Sequence, residues 1–468
     1  MRFAAISQSP FANGGTAAFD RSTALAVPGV ERVLSLGDTV AVVASDSWRA
    51  LKGLAAAQVR WQPAGAVPDS EALRTELIEA VRGATRETNA TVVRATYSVP
   101  LLYHAQLEPI VATASVSRVG ADIWTSTQAQ EAMQAQVGKA LGLWPHLVTV
   151  HSTLVGGGFG RRLDTDYAVT AARVARELGQ PVQCVWSRES DATQARHRTM
   201  AAASFESELR DGLPVTLKAR ISTLGDFPRT GGIAGTSYAL PEAEVEFIRN
   251  GAPIRIGSWR SVDASQNIFF RESFVDELAH AADRDPLDYR RALLAQNGRA
   301  LRVLDTAAKL SEWTSATKRQ RYCGIAFHDG FGSLAAQVVE LSRASATQLR
   351  IERIVAVVDC GTAVHPDNLR AQIEGGVLFG LSAALREEAS IQNAEIATVN
   401  FDKYRVLRMP EAPVVEVEVL ETPDVPLGGI GEVGVPPVAP ALANAIFAAT
   451  GVRPRDLPLS RQAQIQIV

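Results

Sequence analysis

Val155-Gly156-Gly157-Gly158-Phe159-Gly160-Arg161-Arg162 is the stretch that decides how this chain is read. An apolar run, Leu147-Val148-Thr149-Val150, leads into it as a strand would. Asp164 to Leu178 follows with Tyr167, Ala171, Val174 and Leu178 on one helical face. Gly179 fits the end of that helix and Pro181 its stop, and Val182 to Trp186 then reads as a buried strand. A strand, a glycine loop and a helix in this order let bare backbone approach an oxygen-rich ligand. No Gly-Lys-Ser/Thr follows, so the loop is not a P-loop. Taken alone, the segment supports a tight strand-to-helix turn equally well.

Working outward, Ala121 to Thr125 predicts a strand that runs into Ser126-Thr127-Gln128 and a helix ending near Leu143. Further upstream, Asp38 to Ala44 is strand-like, and Ser45 or Asp46 caps a helix from about Ser47 to Ala57. Gln58 to Trp61 reads as a returning strand, and Pro63 to Pro68 as a linker. Downstream, Asp285-Pro286 opens a helix, with Asp as cap and Pro at the first position. From about residue 321 the pattern restarts. Gln348 to Val358 is strand-like, Pro366 to about Leu385 helical, and Val414 to Leu420 alternates as a strand. Gly428-Gly429-Ile430-Gly431-Glu432 is a loop, Pro436-Pro437 starts a helix carrying Val438, Ala441, Leu442, Ala445 and Ile446, and Gly451 ends it.

The 468 residues are too many for one core and predict two to four domains. A net charge of −3 gives no basic field for nucleic acid. No apolar run reaches the roughly 18 residues of a membrane span, and Met1 to Ile6 lacks the apolar stretch of a signal peptide. Cys184, Cys323 and Cys360 lie too far apart for an iron–sulfur or zinc signature, and the histidines form no HExxH-like pair. No protein metal-ligand set is expected, so a redox centre in this chain would be held mainly without thiolates.

Other segments are candidates for chemistry. Gly431-Glu432 stands ahead of a helix N-terminus. A glutamate there usually complements the helix dipole at the surface, but flanking glycines also allow a carboxylate aimed at a bound ligand, its charged form favoured by the helix end. Trp259-Arg260-Ser261 and Gln372-Ile373-Glu374-Gly375-Gly376 are weaker, the glycine pair pointing to close backbone approach. Tyr103 to Pro109 holds His104 and Glu108 four apart, a spacing that is mostly structural.

In this order the segments resemble the large subunit of xanthine dehydrogenase/aldehyde oxidase-type molybdenum hydroxylases, in the isoquinoline 1-oxidoreductase beta-subunit-like branch. The resemblance rests on His104 to Pro109, Ser126-Thr127-Gln128, Gly156 to Arg162, Trp259 to Phe269, Asp359-Cys360-Gly361, Gln372 to Leu381 and Gly429 to Thr450. It implies an α+β, multidomain fold: a small α/β hammerhead-like unit over residues 1–66, then two mixed α/β molybdopterin-binding domains, 67–320 and an incomplete 321–468. It implies molybdopterin, as the cytosine dinucleotide, with the pterin dithiolene ligating molybdenum. Gln128 then lies near the molybdenum oxo group, Gly158, Phe159 and Gly160 beside the metal centre, Arg260 near substrate pocket and cofactor, and Gln372 on the pterin. Gly431 adjoins the cofactor, and Glu432 is the catalytic base. The implied reaction is water-derived hydroxylation of an N-heterocycle or an aldehyde, with hydride transfer to a molybdenum sulfido group. Iron–sulfur clusters or haem belong to a partner, a small [2Fe-2S] subunit or a cytochrome.

Two departures stand out. Val433 follows the base where relatives commonly have proline, and the Met-Gly-Gln-Gly and Gly-Ser-Thr-rich segments of the branch are absent; Gly14-Gly15-Thr16 is too short to replace them. Each lost charge-assisted hydrogen bond to an anionic cofactor is worth about 1.5–3 kcal/mol. The alternative expectation is therefore a non-catalytic fragment or remnant, or one part of an enzyme completed by a separate polypeptide. A phosphate-binding protein built on the glycine loop is a third reading, without the lysine such sites use. Leu163 stands where purine-oxidising relatives carry a glutamate, which argues against purines. Substrate identity and compartment are left open, since relatives' export signals precede the point where this sequence begins.

Overall fold

Three main sheets organise the chain in a computed structural model that describes residues 1–12, 14–83, 91–225, 229–316, 319–345, 347–462 and 466–467. The fold is α+β with mixed sheets. The first sheet has seven strands in the order Val30–Ser35, Thr39–Ala44, Arg2–Gln8, Val182–Val185, Val111–Val116, Ala121–Thr125 and Val148–Ser152. Arg2–Gln8 lies antiparallel to Thr39–Ala44 and parallel to Val182–Val185. Hydrogen bonding therefore runs from the first sixty residues straight into those beyond the Pro63 to Pro68 linker. Every residue of Thr39–Ala44 is buried, which is why that strand reads as a continuous apolar run.

Helix Ser47–Ala57 starts at Asp46, whose carboxylate accepts from Arg49 N at 2.9 Å. It ends on Gln58 at φ 48°, so the return strand begins later than the sequence suggests, at Arg60. Helix Asp166–Leu178 covers the sheet with Tyr167, Ala168, Ala171 and Val174, and Gly179 closes it at φ 65°. Arg161–Leu163 forms a 3-10 turn first, which delays this helix by two residues relative to the apolar pattern.

The second sheet is centred on Ala201–Arg210, flanked by Thr91–Val99 and Leu217–Leu224, with Ala243–Asn250 at one edge. Helix Ala264–Ala281 packs Phe269, Phe270 and Phe274 into it beside Tyr97 and Phe205. The third sheet runs Tyr322–Gly330, Ser333–Arg343, Gln348–Asp359, Val414–Leu420. Helix Pro366–Leu385 and helix Val438–Thr450 flank it. The last helix starts one residue after the Pro436-Pro437 pair, which occupies its lead-in and cap. A Cβ on Gly324 would fall 2.1 Å from Ala445 N, so this helix sits against the sheet only because residue 324 has no side chain. The second and third sheets share one hydrophobic core, from Tyr97 to Ile446. No helix among the described residues is long and apolar enough to cross a membrane.

Candidate active site

The glycine loop bends sharply, with Gly157 at φ 95°, Phe159 at φ 54° and Gly160 at φ 105°. Its glycines answer to neighbours. A Cβ on Gly158 would meet Gln128 Oε1 at 2.3 Å, and one on Gly160 would meet Ser258 O at 2.3 Å. Gly160 N donates to Gln128 Oε1 at 3.3 Å. The loop is thus clamped between Gln128 and the segment that carries Trp259 and Arg260.

Two buried arginines hold it from behind. Arg162 donates to Gly157 O at 2.8 Å, to Glu108 Oε2 at 2.7 Å and to Ser126 Oγ. Arg161 donates to Asp191 at 3.0 Å and to Asp166 at 2.9 Å. Glu108 also accepts from Gly156 N at 2.8 Å. Of the His104/Glu108 pair, then, Glu108 pins the loop. His104 Nε2 lies 2.7 Å from Ser258 O, and burial lowers its pKa to about 4, so it is neutral at ordinary pH.

Trp259 to Val262 forms a strap across this region. Ser261 has φ 74° and Val262 φ 40°, both in the left-handed region that β-branched residues avoid. Arg260 Nε donates to Gly431 O at 2.7 Å, and its Nη2 lies 3.2 Å from both Gln372 O and Gln372 Oε1. Burial pushes the Arg260 pKa down, and the charge of Glu432 opposes that shift. Ser261 N donates to Glu432 Oε2 at 2.5 Å, and Ser261 Oγ donates to Glu432 O at 2.7 Å. The sequence suggests that the following helix end favours the glutamate's charge. The donor that reaches the carboxylate is instead a strap amide, and Val438 opens the helix six residues later.

An aromatic stack closes the cluster. Phe379 lies 4.6 Å from Phe159 and 4.7 Å from Trp259, ring centroid to centroid. Helix Pro366–Leu385 approaches the Gly431 loop through glycines: a Cβ on Gly376 would fall 3.2 Å from Gly434 Cα. All eight residues singled out in the sequence, Gln128, Gly158, Phe159, Gly160, Arg260, Gln372, Gly431 and Glu432, are joined by these contacts. Ser261 entered the sequence reading only as part of Trp259-Arg260-Ser261, and Phe379 and Gly434 only within the stretches Gln372 to Leu381 and Gly429 to Thr450; none of the three was given a role. Phe379 was open to notice as an aromatic one turn after a glycine pair. Beside the stack opens a largely apolar groove of about 700 Å³, lined among others by Leu107, Gly157, Phe159, Gly375, Phe379 and Phe401. That volume suits a small organic ligand.

The cluster fits one side of a bulky anionic cofactor. Gly375 and Gly431 have no atom within 4 Å of a would-be Cβ, so both offer bare backbone to open space. Arg260 brings a cation, and Gln128 and Gln372 bring amides. Among the described residues no group of three His, Cys, Asp or Glu could hold a metal, so a metal here would bring its own ligands.

Residues 73–213 and 271–413 each match a molybdopterin cofactor-binding domain family. The chain is 29% identical to the beta subunit of isoquinoline 1-oxidoreductase from Brevundimonas diminuta over 98% of its own length and 64% of the relative's. It is 27% identical to a subunit of nicotinate dehydrogenase from Pseudomonas putida, over 98% of its own length and 43% of that protein's. Its fold superposes on quinoline 2-oxidoreductase from Pseudomonas putida 86 with a TM-score of 0.83 at 16% identity, covering 98% of this chain and 93% of the other. The chain thus spans less than two thirds of either of these curated relatives.

Proposed function

Because the chain belongs to the xanthine dehydrogenase/aldehyde oxidase-type molybdenum hydroxylases, with two molybdopterin cofactor-binding domains, we propose that it is a catalytic subunit with Glu432 as base. Its domains in this reading are residues 1–66, 67–320 and 321–468. Bound molybdopterin, as the cytosine dinucleotide, would supply the redox chemistry that hydroxylates an N-heterocycle or an aldehyde with oxygen from water. Gly158 to Gly160, Gln128, Arg260, Gln372 and Gly431 would hold that group through backbone and amide contacts.

Glu432 is the observation that carries the proposal. It is half-buried, and its Oε2 accepts from Ser261 N at 2.5 Å. That bond orients the carboxylate and leaves Oε1 with no hydrogen bond among the described residues, available to take a proton from the attacking water-derived oxygen. The Phe159–Phe379 stack and the apolar groove would bind a flat, electron-poor substrate and exclude bulk water. Leu163, 43% exposed just past the loop, adds apolar surface and agrees with a substrate other than a purine.

Electrons would leave through a small [2Fe-2S] subunit or a cytochrome. Relatives named as subunits support such partners. Both relatives extend beyond the stretch that this chain matches. Molybdenum and pterin analysis of the purified protein tests the assignment. In a loaded preparation Glu432→Gln should keep cofactor and lose turnover by about 10²–10⁴-fold. Undiminished turnover in that variant would remove Glu432 from the reaction.

A further inference from the structure

Among the described residues, two charged ones line the groove beside the Phe379 stack, Glu387 and Arg408. They differ in kind. Glu387 is 2% exposed, and its carboxyl accepts from Ser382 Oγ and from Tyr404 OH. Arg408 is exposed, and its guanidinium makes no hydrogen bond or ion pair among the described residues. Glu411, whose charge it feels, is held instead by Arg386 Nη1 at 2.7 Å and by the Arg408 backbone N–H at 2.9 Å. Arg386 and Glu411 offset each other, so Arg408 leaves a positive charge at the rim.

The rest of the lining is mostly apolar. Phe159 and Phe379 stack, and Phe401 lies 5.0 Å from the Arg188 guanidinium. Arg188 is no second free cation, since its nitrogens donate to Tyr103 OH, Gln106 O and Leu107 O. Leu107, 80% exposed, and Met409, 94% exposed, carry apolar surface to the groove's edge. Such surface is unfavourable in water and is covered by a flat ligand.

Charge then fixes how a ligand can lie. An anionic group turned inward would meet the Glu387 carboxyl and apolar walls, and would lose its hydration with no free donor to replace it. Turned outward, it meets a guanidinium whose planar fork suits a carboxylate. The ring then rests near Phe379, on the side of the groove that adjoins the proposed base: Arg260 lies 6.0 Å from the Phe379 ring and bonds Gly431 O.

We propose that Arg408 is a specificity-determining residue, and that the groove takes aromatic heterocycles bearing a carboxylate, with the carboxylate on Arg408 and the ring beside Phe379. This rests on the groove being the substrate site and adds the charged substituent.

Calorimetric titration of the full chain as purified, with no electron acceptor present, tests binding apart from turnover. The probes are quinoline-4-carboxylate and quinoline-4-carboxamide, alike in shape and different in charge. The carboxylate should bind about five- to tenfold more tightly at low salt, and the gap should narrow as ionic strength rises. Arg408→Gln, at an exposed position, should leave the carboxamide unchanged and bring the carboxylate down to it. Phe401→Leu should weaken both probes alike, which ties them to the groove. Equal affinities in the parent, or a preference that Arg408→Gln leaves intact, overturn the role of Arg408 and leave the groove as a ring site. Binding of neither probe, or binding indifferent to Phe401→Leu, overturns the groove as well. The role of Glu432 is judged separately, by turnover in Glu432→Gln.

Discussion

Gly160 and Gly431 look alike in the sequence, and the structure separates them. Gly160 has φ 105° and Ser258 O where its Cβ would be. Gly431 has ordinary backbone and open space. Gly160→Ala should therefore cost about 3 kcal/mol, from left-handed strain and a backbone clash together. Gly431→Ala should stay within about 0.5 kcal/mol of the parent in denaturant unfolding. If Gly431 lies against cofactor, its alanine variant should nevertheless retain less molybdenum and pterin. Equal retention would show that the open space there is only solvent.

At the scale of elements, helix Pro366–Leu385 carries glycines with opposite duties. Gly380 touches the Val435 to Val438 segment, and its Cβ would fall 2.8 Å from Val435 O and 2.7 Å from Val438 Cγ1. Gly375, five residues earlier, faces the groove with nothing near. Gly375→Ala should stabilise the cofactor-free chain by about 0.5–1 kcal/mol, since mid-helix glycine is costly when it serves no contact. Gly380→Ala should destabilise it by about 1–3 kcal/mol through overpacking. Urea midpoints of the two variants, measured side by side, check the signs. The helix itself was legible, its Pro366 start and Leu385 end both marked in the sequence. What each glycine faces was not, because the facing residues lie about sixty positions away.

Across the whole molecule, buried polar links tie distant segments together. Glu387 accepts from Ser382 Oγ and, at 2.9 Å, from Tyr404 OH, and the Tyr404 hydroxyl also lies 3.0 Å from Tyr103 O. Burial raises the Glu387 pKa from 4.5 to about 7, against the lowering effect of those hydrogen bonds. Between these values the folded chain holds more protons than the unfolded one, so this group's contribution falls as pH rises from 4.5 to 7. The full penalty, above pH 7, is roughly 3 kcal/mol. Glu387→Gln should remove it: relative to the parent, the variant gains stability at pH 8 over pH 5. A difference between the two proteins that does not move with pH would disprove the shift.

The sequence by itself determined the local elements and picked out the loops that the structure brings together. Those depend on periodicity, caps and glycines, which act within a few residues, and the order of motifs along the chain identified the family. Tertiary structure alone decided that Ser261 N–H grips Glu432, that Arg161 and Arg162 turn inward to brace the loop, and that Phe379 joins Phe159 to Trp259. Apart from the Arg162 bond to Gly157 O, each of these is a contact between residues far apart in sequence. Such contacts arise only when separate hydrophobic faces pack, and no local propensity encodes which side chain will meet which.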